Sequence, residues 1–186
     1  EEYRYASLDH VILSLLWTCS LRIGGLRAPD VDDVHTRDQW LDMVHRPDTD
    51  TPLKNKAKSE REINLHGWVA DVVRSWIDDR RPTSTDSHGR KPLVATEHGR
   101  IASSSIRERI YSLTDCAGIE WGCDCESDGK CDESVAPHDV RRSSISAWLD
   151  DGTDPSLLSG RVDTSTETMA KHYDVRSERD KRDLRR

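Results

Sequence analysis

The stretch Pro137-His138-Asp139-Val140-Arg141-Arg142-Ser143 is the most informative pattern in this chain of 186 residues. Pro137 suits the first turn of a helix, and the apolar residues that follow keep a helical spacing as far as Gly152. His138 and Arg141 are three residues apart, so they project from one face of that helix. A helix N-terminus bearing these side chains favours an anion such as a phosphate, although a solvated polar face is the alternative.

Around this stretch the chain alternates helices with one short β-hairpin. Ser7 is a good N-cap for a first helix, which is expected to run to about Gly24-Gly25. Alternation of apolar and polar residues predicts two short strands, around 40–44 and 61–65. Apolar spacing predicts further helices at about 68–77, 103–113, 137–152, from 155 and 165–173, with a short buried strand at 93–95. The predicted fold class is mainly α with a small antiparallel β hairpin or sheet.

Three other segments stand at suggestive positions relative to His138 and Arg141. Arg22 follows the first helix, three lysines lie in the hairpin segment 53–65, and Tyr173 comes 32 residues after Arg141. The order Arg, Lys, His-x-x-Arg, Tyr resembles the catalytic domain of the tyrosine recombinases, the phage-integrase family. The resemblance covers nearly the whole chain and implies the fold of DNA breaking and rejoining enzymes. It divides the chain into a catalytic domain, 1–175, and a charged tail, 176–186.

The resemblance assigns a role in DNA strand exchange to each of these residues. Tyr173 would attack a DNA phosphodiester and form a 3′-phosphotyrosyl link, because a tyrosine is a usable nucleophile once its proton is taken. Arg22 and Arg141 would hold the phosphate oxygens, since planar guanidinium forks suit that geometry. His138 would assist proton transfer, and Lys56 would protonate the leaving 5′ oxygen. Neither a metal cofactor nor ATP would be needed.

Additional basic residues are predicted to contact DNA. Lys56 matches the family spacing best when counted back from Arg61, which leaves Lys54 and Lys58 as nonspecific phosphate contacts. Arg61 and Arg142 complete the predicted DNA-binding set. Double-stranded DNA is therefore the expected partner, with self-association on DNA from dimer to tetramer.

Two positions depart from the family pattern. A second His or a Trp normally precedes the nucleophile by nine residues, and the same count here reaches Thr164. Arg161 could serve that position instead if the loop is rearranged. The acidic residue common three positions after the first arginine is replaced by Gly25, and Asp30, Asp32 or Asp33 is the expected substitute.

A cysteine-bearing loop at 116–135 is predicted to be an insertion. Cys116, Cys123, Cys125 and Cys131 fall within 16 residues and could bind a structural zinc ion, because four thiolates satisfy its tetrahedral preference. Their spacing lacks a clean pair of Cys-x-x-Cys knuckles. Free thiols in a reducing compartment are the alternative.

The charge composition points to a salty environment. The formal net charge is −7, with Asp outnumbering Glu 24 to 11 and Arg outnumbering Lys 21 to 7. Dense carboxylates keep a protein hydrated near molar salt, where the Debye length falls to about 3 Å. We therefore expect a halophilic protein from a high-salt cytoplasm. The resemblance implies a nucleoid-associated protein of a mobile element, and the acidic character looks like that of the integrases of salt-loving archaea. An ordinary acidic protein from a GC-rich genome is the alternative.

Several functional alternatives remain at this stage. An acidic chain is an unusual DNA binder, because phosphate contacts need local positive charge. A catalytically impaired DNA-binding relative of an integrase, or a type IB topoisomerase, would carry a similar residue set.

No apolar run approaches the roughly 20 residues that span a membrane. The chain opens with Glu1 and without a signal-peptide pattern. The expectation is either that an N-terminal DNA-binding domain belongs to a longer protein, or that the chain is a catalytic domain alone with weak DNA affinity.

Overall fold

The computed structural model describes residues 4–115, 131 and 134–174. Within these residues the chain forms seven α-helices and five short strands. The helices are α1 (Leu8–Cys19), α2 (Ile23–Arg27), α3 (Gly67–Ser75), α4 (Ser103–Thr114), α5 (Pro137–Asp150), α6 (Pro155–Val162) and α7 (Thr166–His172). The strands are β1 (Val34–His35), β2 (Trp40–Met43), β3 (Arg61–Asn64), β4 (Ala95–Thr96) and β5 (Gly99–Arg100). The predicted fold class, mainly helical with a small antiparallel sheet, is confirmed.

Helix α1 is the central element of the core. Ser7 caps it by accepting a hydrogen bond from the His10 amide at 3.2 Å, which leaves fewer unsatisfied donors at the helix start. Its buried positions include Val11, Ile12, Leu15 and Leu16, and the helix packs against α3, α4 and α5. Burial of each such side chain contributes about 1.5–3 kcal/mol.

The first helix ends earlier than the sequence analysis predicted. Ser20, not Gly24-Gly25, adopts the left-handed conformation, with φ 48°. The Ser20 hydroxyl lies 2.6 Å from the Ser144 hydroxyl, and the Ser20 carbonyl accepts a hydrogen bond from Arg141. These contacts with α5 hold the turn, and the turn places Arg22 immediately before α2.

A three-stranded antiparallel sheet in the order β1-β2-β3 forms beside the helices. Leu41 pairs with Ile63 across β2 and β3, and both side chains are buried in the core. The segment that joins β2 to β3 carries the three lysines of the predicted hairpin. The register therefore fixes both ends of the lysine-bearing segment against the core.

Helices α5, α6 and α7 enclose a second apolar cluster. It contains Ile145, Leu149, Leu158, Val162, Met169 and Tyr173. Asp154 caps α6 by accepting from the Ser156 amide at 2.7 Å, and Ser165 caps α7 by accepting from the Thr168 amide at 3.2 Å. The short turn between α6 and α7 contains Asp163 and Thr164, and the Ser165 cap fixes the point at which this turn ends and α7 begins.

None of the described helices is both long enough and apolar enough to span a membrane.

Candidate active site

The two predicted arginines meet at a single oxygen atom. Arg141 projects from α5 and donates to the Thr164 hydroxyl at 2.6 Å. Arg22 donates to the same oxygen at 3.2 Å. The turn at Ser20 and the turn between α6 and α7 therefore bring residues from distant parts of the sequence to one point.

Arg141 is buried without a carboxylate partner among the described residues. Its side chain is 1% exposed, and its other acceptors are the carbonyls of Ser20 and Val162, the latter at 2.7 Å. Its Nε atom has no hydrogen-bond partner in the part of the chain that the structure describes. A buried cation bound only by neutral groups is costly, so the site favours an added anion.

The environment of Arg141 also lowers the pKa of its guanidinium group. Burial is the main cause that lowers its pKa to about 10, and repulsion from Arg22 adds to it. The interaction with the Tyr173 hydroxyl acts in the opposite direction. The Tyr173 side chain therefore lies close to Arg141.

Tyr173 follows the last turn of α7 and is 7% exposed. Its ring belongs to the apolar cluster of α5, α6 and α7. Its carbonyl accepts a hydrogen bond from the Ser146 hydroxyl at 2.7 Å, and the preceding carbonyl, of His172, accepts from Arg142 Nε at 3.4 Å. Helix α5 therefore positions both Arg141 and the segment that carries Tyr173.

Asp163 is the carboxylate partner of Arg22 among the described residues. It adopts a left-handed conformation, with φ 53°. Its carboxylate accepts from Arg22 at 2.8 Å, from Ser59 at 2.7 Å and from Asn55 at 2.9 Å, and its carbonyl accepts from Arg22 at 2.9 Å. Burial acts to raise the pKa of Asp163, but the hydrogen bonds from Ser59 and Asn55 and the arginine charges lower it.

Asp30 and Asp33, two of the three residues expected to provide this carboxylate, have other arginine partners. Asp30 binds Arg90 and Arg100, and Asp33 binds Arg46. Sequence reasoning missed Asp163, together with Asn55 and Ser59. The available signal was that Asp163 immediately precedes Thr164, the position at which the family pattern has a second His or a Trp.

The lysines lie along a groove that opens beside Arg22. Two adjoining cavities of about 260 and 630 Å³ share Arg22, Lys54, Arg61 and Asp163 in their walls. Lys58 lines the larger one. Lys56, predicted as the proton donor, is exposed, lies in a tight helical turn at Lys56–Ser59 and has φ 57°. It lies outside both sets of wall residues.

Arg61 and Arg161 have structural partners. Arg61 Nε donates to the Arg161 carbonyl at 2.8 Å, and its Nη1 donates to the Ser59 carbonyl at 2.7 Å. Burial is the main cause of the lowered pKa of Arg61. Arg161 donates to the Thr18 carbonyl at 2.9 Å and lies 5.3 Å from the centre of the Trp148 ring. Thr164, rather than Arg161, occupies the position next to Arg22 and Arg141.

His138 is exposed on the first turn of α5, one turn before Arg141. Arg142 is also exposed. The structure thus places Arg22, Arg141, Thr164 and Tyr173 together, with the lysine segment along the adjoining groove and His138 at the surface.

The proposed zinc ligands fall mostly outside the described residues. Cys116, Cys123 and Cys125 lie there, whereas Cys131 is described and buried. Within the described part of the chain no group of three or more His, Cys, Asp or Glu side chains is arranged to hold a metal ion. The zinc site stays a prediction.

Tyrosine recombinases are among the known proteins that this chain resembles in sequence. The chain is 24% identical over 170 residues to the tyrosine recombinase XerC of Mycobacterium leprae, which covers 90% of this chain and 50% of that protein. It is 21% identical over 135 residues to XerC of Neisseria meningitidis serogroup B, covering 73% of this chain and 36% of that protein. No protein-family model matches the chain.

Solved structures of recombinases also have a fold similar to that of this chain. A crystal structure of XerA recombinase superimposes with a TM-score of 0.68 at 16% identity and covers 95% of this chain and 55% of XerA. The chain is therefore similar to tyrosine recombinases in both sequence and fold. The Tn1549 transposon integrase, in complex with a circular intermediate DNA, gives a TM-score of 0.69 at 14% identity, covering 94% of this chain and 56% of that one.

The similarity covers only a part of each relative. This chain spans about half the length of the mycobacterial XerC proteins that it matches. It has the fold of a tyrosine recombinase catalytic domain, and the arginine pair beside Tyr173 lies within that fold.

Proposed function

We propose that this chain cleaves and rejoins DNA strands as the catalytic domain of a site-specific tyrosine recombinase. The convergence of Arg22 and Arg141 on one oxygen, with Tyr173 beside Arg141, is the observation that carries the proposal. In the bound state a non-bridging phosphate oxygen takes the place of the Thr164 hydroxyl as their shared acceptor. The phosphate also supplies the anion that buried Arg141 lacks.

The proposed reaction transfers a phosphoryl ester and conserves its bond energy. The Tyr173 oxygen attacks phosphorus, a bond from tyrosine to phosphorus forms, and the bond from phosphorus to the 5′ oxygen breaks. The phenol proton passes to a base, for which His138 is proposed, while Lys56 gives a proton to the leaving 5′ oxygen. Attack by a 5′ hydroxyl on the phosphotyrosine reverses the step, so rejoining needs no ATP.

Electrostatic stabilisation by the arginines is the main catalytic contribution in this proposal. Charge builds on the non-bridging oxygens in the transition state, and fixed donors stabilise it without reorganisation. Loss of one such donor costs about 2.7–4 kcal/mol in comparable oxyanion sites. The arginines supply this charge in the proposal, so no catalytic metal is required. The zinc proposed for Cys116, Cys123, Cys125 and Cys131 would be structural.

Double-stranded DNA is the proposed substrate, and the lysine groove is its proposed backbone contact. Lys54 and Lys58 line the groove beside Arg22, so local positive charge is present although the chain carries a net charge of −7. A high-salt cytoplasm is the proposed setting. Binding there would depend on hydrogen-bond geometry, because counterion release contributes little to affinity at high salt. Assembly of protomers on DNA belongs to the same proposal.

A catalytically impaired DNA-binding relative is the second candidate function. It is favoured by one observation: Thr164, a neutral hydroxyl, stands at the position where the family has a second His or a Trp. Such a protein would retain DNA and leave it intact.

The deciding experiment is a search for a covalent adduct. The protein is incubated in multimolar potassium chloride with pooled fragments from its source replicon, and detergent is then added. We expect a protein–DNA adduct that Tyr173→Phe does not form, since the phenylalanine variant keeps the ring in the apolar cluster and lacks the nucleophile. DNA retention on a filter without any adduct would overturn the enzyme proposal and support the binding-only relative. Relaxation of supercoiled DNA of any sequence would instead favour a topoisomerase.

A further inference from the structure

Asp163, in the wall of the groove, connects Arg22 to Asn55 and Ser59, the two ends of the segment that contains Lys56 and Lys58. Asp163 accepts from Arg22 at 2.8 Å and from Ser59 at 2.7 Å through one oxygen, and from Asn55 at 2.9 Å through the other. We propose that Asp163 is a positioning residue that fixes the lysine segment relative to the arginine pair, so that a lysine can protonate the leaving oxygen. This inference rests on the function proposed above.

The anchors stand on either side of the candidate proton donor. Lys56 lies between Asn55 and Ser59 in the sequence, and both of these side chains bond to Asp163. Ser59 is 1% exposed, and its hydroxyl also accepts from the Asn55 amide at 3.2 Å. The Ser59 hydroxyl therefore joins the two ends of the segment 55–59 and also attaches the segment to Asp163, in the turn between α6 and α7.

The backbone on both sides of this contact is held in an unfavourable conformation. Lys56 and Asp163 both have positive φ, 57° and 53°, which is disfavoured for residues with a side chain. Such conformations persist when surrounding contacts fix them, and they concentrate at functional sites. The bonds that Asp163 makes to Asn55 and Ser59 are contacts of this kind.

Asp163 also takes over a role that the local sequence cannot fill. Gly25 stands three residues after Arg22, where the resemblance implies an acid, and a Cβ added there would lie 3.3 Å from the Met43 side chain. The carboxylate instead reaches Arg22 from the turn between α6 and α7. The Asp163 carboxylate therefore positions both Arg22, which would donate hydrogen bonds to the phosphate, and the lysine segment, which would donate the proton.

The chemical consequence is specific to the leaving group. An alkoxide leaves slowly unless it gains a proton, and general acid catalysis contributes about 10²–10⁴-fold. A displacement of about 1 Å can cost about 10²-fold when the reacting groups lose their alignment. Loss of the anchors should therefore slow cleavage when the leaving atom is oxygen. It should have little effect when that atom is sulfur, because a thiolate leaves without a proton.

The test compares Asn55→Ala and Ser59→Ala on two DNA substrates. One is the ordinary duplex, and the other carries sulfur in place of the bridging 5′ oxygen at the scissile phosphate. These variants remove contacts of the lysine segment with Asp163 and leave the bonds between Arg22 and Asp163 in place. Asn64→Ala, an exposed asparagine on β3, is the matched control. We expect a loss of about 10-fold or more on the oxygen substrate and less than about 3-fold on the sulfur substrate.

Asp163→Asn should behave differently from the anchor variants. It disturbs Arg22 as well as the lysine segment, so adduct formation should fall on both substrates. Equal losses of Asn55→Ala and Ser59→Ala on the two substrates, or no loss on the oxygen substrate, would overturn the proposed positioning role.

A second measurement separates this inference from the proposed function. Hydrogen exchange of residues 54–60 reports the anchoring directly and needs no cleavage. We expect faster exchange in Asn55→Ala and in Asp163→Asn than in the native chain or Asn64→Ala. Unchanged exchange would overturn the anchoring, whereas a native chain that forms no adduct with either substrate would overturn the proposed function.

Discussion

Arg22 and Arg141 donate hydrogen bonds to the same atom, the Thr164 hydroxyl oxygen, at 3.2 and 2.6 Å. Two cations that share an acceptor repel one another, which is one cause of the lowered pKa of Arg141. A phosphate is a better acceptor for such a pair, because it carries negative charge and several oxygens. The shared oxygen therefore marks the position at which the proposed substrate would bind.

Arg141→Lys should lose most strand cleavage while DNA binding survives. A lysine keeps the charge but cannot reproduce the fork that donates to Thr164, Val162 and Ser20. We expect a fall of about 10²–10³-fold in the rate of adduct formation, the cost of one lost donor at such a site. Filter binding of the same DNA measures affinity. Arg107→Lys, an exposed arginine on α4, is the control, and equal turnover in Arg141→Lys and the native chain would contradict the assignment.

Thr164→Val should destabilise the fold and slow cleavage. Valine keeps the volume of the side chain but removes the acceptor shared by the two arginines, leaving buried donors without a partner. We expect the free energy of unfolding to fall by about 1–3 kcal/mol, measured by chemical denaturation. Thr164→Ser retains the hydroxyl and should stay close to the native chain. A valine variant as stable and as active as native would show that the shared oxygen has no role.

Lys56→Gly should separate stability from activity. Glycine adopts positive φ without the steric penalty of a side chain, so the free energy of unfolding should stay level or rise by up to about 1 kcal/mol. Adduct formation should fall, because the proposed proton donor is removed.

Gln39→Gly is the matched control for this change. Gln39 is exposed, has φ 61° and lies in the turn between β1 and β2. It should show the same small effect on unfolding with native cleavage. A Lys56→Gly variant that cleaves at the native rate would move the proton-donor role to Lys54 or Lys58, which line the groove.

Stability should respond to acid through Asp163. The pKa of this carboxyl is lowered in the folded protein, so its stabilisation is present above the unfolded pKa of about 3.9. That stabilisation is lost as the pH falls through the folded pKa, because protonation then favours the unfolded chain. Unfolding free energies of the native chain and Asp163→Asn should therefore differ by a constant amount between about pH 5 and 7 and converge below about pH 4.

Asp150→Asn provides the control for this titration. Asp150 is an exposed carboxylate at the end of α5, away from Asn55 and Ser59. Its removal should leave the acid dependence of stability close to native. A native-like acid dependence in Asp163→Asn would contradict the proposed contribution of that carboxylate.

The sequence alone determined the elements and the order of the key residues. Ser7 capped the first helix as predicted, and the apolar period placed α3, α4, α5, α6 and α7. Local hydrogen bonding and burial of one face decide these features, so neighbouring residues contain the information. The order and spacing of Arg141 and Tyr173 carried the resemblance, although Arg141 lies on α5 and Tyr173 directly after α7, with α6 between them.

Only the tertiary structure decided how the charges are paired. Local sequence favoured Asp30, Asp32 or Asp33 as the partner of Arg22, yet Asp163 fills that role from the turn between α6 and α7. It also showed that Ser20 ends α1, and that Thr164 joins the two arginines. Pairing between charges depends on distance in space, and packing of α5 and α6 against the first helix and β3 sets those distances across more than a hundred residues of chain.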